Sequence, residues 1–256
     1  MIKTTLLDSG IFHISLNRPQ QLNALSMEVL QQFISILGQV KLDKTIKSVL
    51  LTGEGKVFCA GADIKQLANM NGQHGLDFAH LGQTAFHHLE LLGKPSLAAI
   101  HGVAFGGGCE LAMAATLRIA AEHTIFGQPE IKLGVIPGFG GTQRLARLIG
   151  KGRALEVCLT GRNITADEAY HFGLVNEMVA LDKLLERAKA LLSNLSQFSP
   201  VAMKSIMTVI HKGYDLSLDE AMELEAAYFG VCCSTADKRE GVTAFLEKRA
   251  PVFSGE

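Results

Sequence analysis

The sequence predicts an α/β protein, with strands and helices interleaved to about residue 160 and a helical region from 161 to 256. Three observations carry this expectation. Short β-branched runs closed by glycine or proline alternate with helix-period stretches through the first 160 residues. Beyond them the chain turns to amphipathic segments opened by capping boxes. No proline- or glycine-rich linker separates the two regions, which argues for one continuous unit.

Residues 4–7 and 11–16 flank Asp8-Ser9-Gly10, a hairpin signal. Arg18-Pro19 ends the second strand, because proline has no ladder donor and restricts the residue before it. Ser26 is placed to cap a helix in which Val29, Leu30, Phe33, Ile34, Leu37 and Val40 recur at helical spacing. Residues 48–52 read as a short buried strand, and 95–103 as another, rich in small and branched side chains. Between them, 66–92 is polar, interrupted by glycine and rich in histidine, which predicts a mobile loop running into a helix. The strand at 95–103 passes through Gly106-Gly107-Gly108 into a helix from Glu110 to about Leu117. Thr142 is placed to cap a helix that follows the glycine turn at 138–141. Farther on, Thr165-Ala166-Asp167-Glu168 and Ser217-Leu218-Asp219-Glu220 match the capping box, and 181–195 and 218–229 have amphipathic periodicity.

Composition narrows the function. The chain balances 24 basic against 25 acidic residues, so it lacks the cationic excess that nucleic-acid binding leaves. Its five cysteines, Cys59, Cys109, Cys158, Cys232 and Cys233, are odd in number and form no C-x-x-C. They read as reduced thiols rather than a secreted disulfide framework. The histidines form no H-E-x-x-H and no Cys/His cluster, so no metal is expected. Residues 1–16 alternate like a strand, unlike a signal or transit peptide, and no apolar run is long enough to span a bilayer. The expected location is cytoplasmic, or organellar with a leader removed.

Three segments carry chemistry. Phe58-Cys59-Ala60-Gly61-Ala62-Asp63-Ile64-Lys65 follows a buried strand. His101-Gly102-Val103-Ala104-Phe105-Gly106-Gly107-Gly108-Cys109-Glu110 hands a strand to a helix through three glycines. Phe126-Gly127-Gln128-Pro129-Glu130 precedes Pro137-Gly138-Phe139-Gly140-Gly141-Thr142. Residues without side chains at a helix start let backbone N–H groups approach an anion at the positive end of the helix dipole. The run lacks G-x-G-x-x-G spacing, and no G-x-x-x-x-G-K-[ST] occurs, so nucleotide motifs are excluded. Glu110 is the only acidic or basic residue between His101 and Leu117, and Glu130 lies in a similarly apolar stretch. Each alone reads equally well as a helix-start carboxylate. Together, beside a glycine-lined donor site, they form an acid/base pair with an oxyanion hole.

These segments, with Arg18-Pro19, Leu22-Asn23-Ala24-Leu25, Gln143-Arg144-Leu145, Leu159-Thr160-Gly161, Glu240-Gly241 and Phe245-Leu246-Glu247-Lys248-Arg249, closely resemble the crotonase (enoyl-CoA hydratase/isomerase) family nearly end to end. The resemblance implies a crotonase-like spiral of ββα units with a C-terminal helical region that serves oligomerisation and covers the acyl pocket. It implies a homotrimer or a hexamer built as a dimer of trimers. It also implies an oxyanion hole from the N–H groups of Ala62 and Gly107, catalytic Glu110 and Glu130, and acyl-CoA contacts at Ala24, Ala62, Asp63, Ile64, Lys65 and Gly107. Coenzyme A enters as part of the substrate, with no separate cofactor, nucleic-acid or membrane partner. The presence of both glutamates favours a hydratase that adds water syn across a trans-2-enoyl-CoA to give a 3-hydroxyacyl-CoA, in fatty acid β-oxidation or related acyl-CoA catabolism. An isomerase, which commonly manages with one acid, and a non-catalytic RNA- or partner-binding member are the alternatives. A peptidase is disfavoured by the absence of G-x-S-x-G. Lys248-Arg249 reads either as a ligand contact from a neighbouring subunit or as a solvated helix end.

Overall fold

The computed structural model describes residues 1–256. Strands β1 (Ile2–Leu6) and β2 (Ile11–Leu16) pair antiparallel around a tight turn at Asp8–Gly10. Helix α1 (Met27–Leu42) begins where the Ser26 hydroxyl accepts from Val29 N–H, and it buries Val29, Leu30, Phe33, Leu37 and Val40. Strand β3 (Ser48–Gly53) follows.

The next segment, expected as a loop running into a helix, contains that helix but is helical over far more of its length. It folds as α2 (Ile64–Leu67) and then α3 (Gly72–Glu90), which is capped by the Asn71 side chain on His74 N–H. Phe78, Ala85, Phe86 and Leu89 define a buried stripe that the surrounding glycines and histidines obscure in the sequence. Gly82 sits on that stripe because a Cβ there would run into the Phe139 ring. The apparent strand at 95–103 is in fact two, β4 (Ser96–Ile100) and β5 (Val103–Phe105). Gly102 breaks it with φ 64° and lies against the Lys56 carbonyl, where no side chain fits.

Helix α4 (Gly107–Ala114) starts three residues earlier than the glycine run suggests and ends at Ala114. After it come β6 (Leu117–Ala121), β7 (Ile125–Gly127), α5 (Gly141–Ile149), α6 (Lys151–Thr160), β8 (Asn163–Thr165), α7 (Ala166–Phe172) and β9 (Glu177–Val179). Four helices complete the chain: α8 (Leu184–Leu195), α9 (Pro200–Gly213), α10 (Leu218–Cys233) and α11 (Ala236–Leu246). Both capping boxes are formed, at Thr165/Glu168 and Ser217/Glu220.

The spiral is visible in the pairing. One sheet has the order β1-β2-β3-β4-β6-β9, parallel beyond the first hairpin, and the other has β5-β7-β8. Strands β4 and β6 of the large sheet are each followed within a few residues by a strand of the small sheet, β5 and β7, and after β3 an isolated bridge at Cys59 takes that place. Thus Leu97 sits opposite Leu117, and Val103 opposite Ile125. The two layers enclose a core that includes Phe58, Phe86, Phe126, Leu30 and Ile100. No helix is long and apolar enough to cross a membrane. All five cysteines are unpaired thiols.

Candidate active site

The loop after β3 runs beside β5. Cys59 N–H donates to Val103 O and Phe105 N–H to Cys59 O, both at 3.1 Å, which makes Cys59 and Ala104 a parallel bridge. Three residues on from each bridge partner come Ala62 and Gly107. Leu25 holds the loop's other edge, donating to Gly61 O at 2.8 Å and accepting from Asp63 N–H at 2.9 Å. That pattern engages the residues on either side of Ala62 and leaves the Ala62 amide without a protein acceptor; the Gly107 amide, first in α4, also has none. The strands approach closely: a Cβ at Gly61, where φ is 110°, would lie 3.0 Å from Phe105 O and 3.7 Å from Gly107 N. Two free donors on neighbouring segments, one of them at the positive end of a buried helix, suit a developing oxyanion. Arg118 closes the far end of α4, donating to Ala115 O at 2.6 Å and to Leu174 O at 2.7 Å.

Glu110 lies on the first turn of α4 and is 1% exposed. Its Oε1 accepts from Phe139 N–H at 2.8 Å and from Gly141 N–H at 2.6 Å, so the glycine turn and the start of α5 wrap the carboxylate. Burial, and then the nearby Glu130 carboxylate, push Glu110 up to about 8, against the opposing pull of those two amides and of Arg144. Glu130 begins a 3-10 turn behind Pro129, and burial pushes it up to about 7. With the Gln128 amide nitrogen turned toward it, that fully buried side chain donates to both Glu130 oxygens at 3.1 and 3.2 Å. Glu130 also approaches the glycine run, since a Cβ at Gly106 would lie 2.5 Å from its Oε1. The structure therefore gathers both carboxylates and both candidate amides around one helix start.

The remaining expected contacts are more dispersed. Ile64 and Lys65 are exposed on α2. Asp63 is engaged within the chain, accepting from Arg18 Nη2 at 3.1 Å and capping α2 through Lys65 N–H at 3.1 Å. Ala24 is half-buried, and its carbonyl accepts from Arg18 Nη1 at 2.6 Å. Arg18 and the buried Asn23, whose amide donates to Glu54 O and Val57 O, thus hold the segments at 23–25 and 57–63 together. Thr142 does not cap α5. Gly140, with φ 104°, occupies that position, and Thr142 Oγ1 accepts only from the neighbouring Gln143 side chain. Arg249 is taken up by Glu240 at 2.6 Å and Glu247 at 2.8 Å.

Sequence reasoning overlooked Gln128 and the amides of Phe139 and Gly141. The buried amide two residues before Glu130 was a usable signal. The main-chain donors had none, because they depend on how the 137–141 turn folds over α4.

The family described as Enoyl-CoA hydratase/isomerase matches residues 7–256. The chain is 45% identical over 237 residues to a short-chain-enoyl-CoA hydratase of Clostridium acetobutylicum, covering 92% of this chain and 91% of that one. It is 42% identical over 239 residues to a crotonyl-CoA hydratase of Syntrophomonas wolfei, covering 93% and 92%. The crystal structure of an enoyl-CoA hydratase from Bacillus anthracis superposes with a TM-score of 0.96 at 39% identity, covering 100% of this chain and 99% of that one.

Proposed function

Because this chain belongs to the enoyl-CoA hydratase/isomerase family, we propose that it is an enoyl-CoA hydratase adding water syn across the double bond of short trans-2-enoyl-CoA thioesters. The observation that carries this reading is the pairing of two sequestered carboxylates, both with raised pKa, beside two main-chain N–H groups that lack protein acceptors. Addition at C3 drives charge onto the thioester oxygen, and the amides of Ala62 and Gly107 receive it. Loss of one such donor typically costs roughly 2.7–4 kcal/mol of transition-state stabilisation. Glu110 orients the water and takes its proton as oxygen bonds to C3, while Glu130 gives a proton to C2. The pair thus carries one proton before and after the step, and dehydration reverses both transfers.

Burial alone ranks Glu110 as the harder group to ionise. The Phe139 and Gly141 amides and the Arg144 charge oppose this without overcoming it, leaving Glu110 at about 8 and Glu130 at about 7, so hydration draws on the form of the pair in which Glu110 is the anion and Glu130 holds the shared proton. An isomerase needs only one such acid, so the second argues for hydration. Short acyl chains are supported by the names of the two relatives and by Phe139. Its ring lies 3.1 Å from where a Gly107 side chain would start and is braced edge-on by Phe78 and Phe86. The coenzyme A moiety lies along 62–65 and Ala24. Nothing in this scheme calls for a metal or a separate cofactor.

The test is loss of enoyl absorbance across crotonyl- to hexadecenoyl-CoA, with crotonyl-CoA expected to turn over fastest. Absence of hydration throughout the series would leave an isomerase or a non-catalytic, partner-binding member as the surviving readings.

We further propose that the C-terminal region mediates a homotrimer or hexamer and covers the acyl pocket. Helix α10 buries none of its sixteen residues, while Leu218, Met222, Phe229 and Val231 on it, and Phe245 and Leu246 beyond, stand exposed. The turn after Glu130 likewise exposes Ile131, Leu133 and Ile136. Sedimentation equilibrium is expected to give three or six copies, and a monomer at micromolar concentration would refute this. The balanced charge and free thiols fit the cytoplasm.

A further inference from the structure

The turn that wraps Glu110 is held from its other side. Arg144 of α5 reaches back over Gly140 and donates from Nη1 to Phe139 O at 2.7 Å, the only donor to that carbonyl. Its other two nitrogens grip Glu90, the last residue of α3, with Nε to Oε1 at 2.6 Å and Nη2 to Oε2 at 2.8 Å. The two side chains are 15% and 19% exposed, so the fork is largely desolvated and geometrically fixed. Gly140 is required here on two counts: its φ of 104° is left-handed, and a Cβ would strike the Arg144 guanidinium. Phe139 is thus pinned on both sides, its carbonyl to Arg144 and its N–H to Glu110.

We propose that the Glu90–Arg144 fork is a positioning device for Glu110, setting the turn that presents the Phe139 and Gly141 amides to the carboxylate. Arg144 touches no reacting atom; it acts through the peptide groups at 139–141. The charged and titratable groups around Glu110 are Glu130 after β7, Cys109 on α4, Cys158 on α6 and Arg144 itself, while His87 on α3 lies 3.6 Å from Glu90. Removing the guanidinium takes away the only cation of this set near Glu110 and lets the turn drift, so the carboxylate becomes harder to ionise.

The rate arm of the test rests on the hydratase reading, and a second arm does not. In Arg144→Gln, kcat for crotonyl-CoA is expected to fall roughly 10–100-fold, the scale of a small misplacement of a reacting group, with KM much less affected. Arg144→Lys keeps the charge without the fork and is expected to recover part of kcat. Independently, carbon-13 NMR of glutamate-labelled protein reads the titration midpoint of Glu110, its resonance assigned by its loss in Glu110→Gln. That midpoint is expected to rise in Arg144→Gln and to stay near wild type in Arg144→Lys. Glu90→Gln supplies a second folded variant, expected to lower kcat without raising the midpoint. A merely structural fork would lower the melting temperature and leave the midpoint unmoved. An unmoved midpoint in folded Arg144→Gln overturns the proposal. Should the wild type hydrate no enoyl-CoA, the function fails while the midpoint still decides the fork.

Discussion

Glu110→Gln is expected to lower kcat for crotonyl-CoA hydration by about 10²–10⁴, the usual contribution of a positioned acid or base. The fold should be retained. A glutamine oxygen still accepts from Phe139 and Gly141 N–H, so the turn over α4 keeps its geometry while the proton acceptor is gone. Glu130→Gln should lose activity on the same scale for the complementary reason, since its amide cannot deliver the proton to C2. The double variant should be little worse than either single one, because two groups that share one proton act as a unit. Calorimetric titration with butyryl-CoA checks that binding survives in each variant. Hydration within a few-fold of wild type by either single variant would remove that residue from the chemistry.

The same pair makes stability fall with alkalinity. An unfolded glutamate titrates near 4.3, whereas Glu110 is held up at about 8 and Glu130 at about 7. Between those values the folded chain keeps protons that the unfolded chain has released, so the stabilisation is complete below about pH 4.3 and is lost as pH climbs toward 7–8. At roughly 1.4 kcal/mol per unit, the buried Glu110 alone accounts for a loss of order 3–5 kcal/mol by pH 8. Glu110→Gln removes that titration, so its melting temperature should exceed that of wild type at pH 8. At about 2–4 °C per kcal/mol the difference should be of order 10 °C, shrinking toward zero near pH 5. Scanning calorimetry of both proteins across that range reads the effect. A difference that does not change with pH would mean the carboxylate is not held up by burial.

Local chemistry was readable at most places where a residue and its partner lie within a turn of each other, the expected Thr142 cap being the exception. The hairpin at Asp8-Ser9-Gly10, the Ser26 cap and the two capping boxes all formed where their sequence spacing placed them. Errors arose where tertiary contact decides the outcome. Glycines and polar residues in 66–92 suggested a loop before its helix, yet the helix spans 72–90, where Phe78, Phe86 and the gap at Gly82 make a face shaped around Phe139, more than fifty residues away. The split between β4 and β5 depends on Gly102 fitting against the Lys56 carbonyl, which no periodicity reports. At the site, the two glutamates stood out as lone acids in apolar sequence. Glu90 and Arg144 did not, since fifty-four residues separate them and each resembles an ordinary surface charge until the helices meet.

The bridge between Cys59 and Ala104 ties the segments carrying the Ala62 and Gly107 amides, proposed above to hold the oxyanion, to the sheet framework, while the Glu110 side chain projects from α4 and that of Glu130 from the turn beyond β7. Gly107 and Glu110 share α4, but the amides are main-chain groups, so the acid side chains can be exchanged without removing them. Exchanging the two acids for other side chains would leave a cradle that still tolerates a carbanion next to a thioester, now free to meet a different electrophile or leaving group. Diversification on such a scaffold needs few substitutions, because the costliest intermediate is accommodated by peptide groups that side-chain replacement cannot delete.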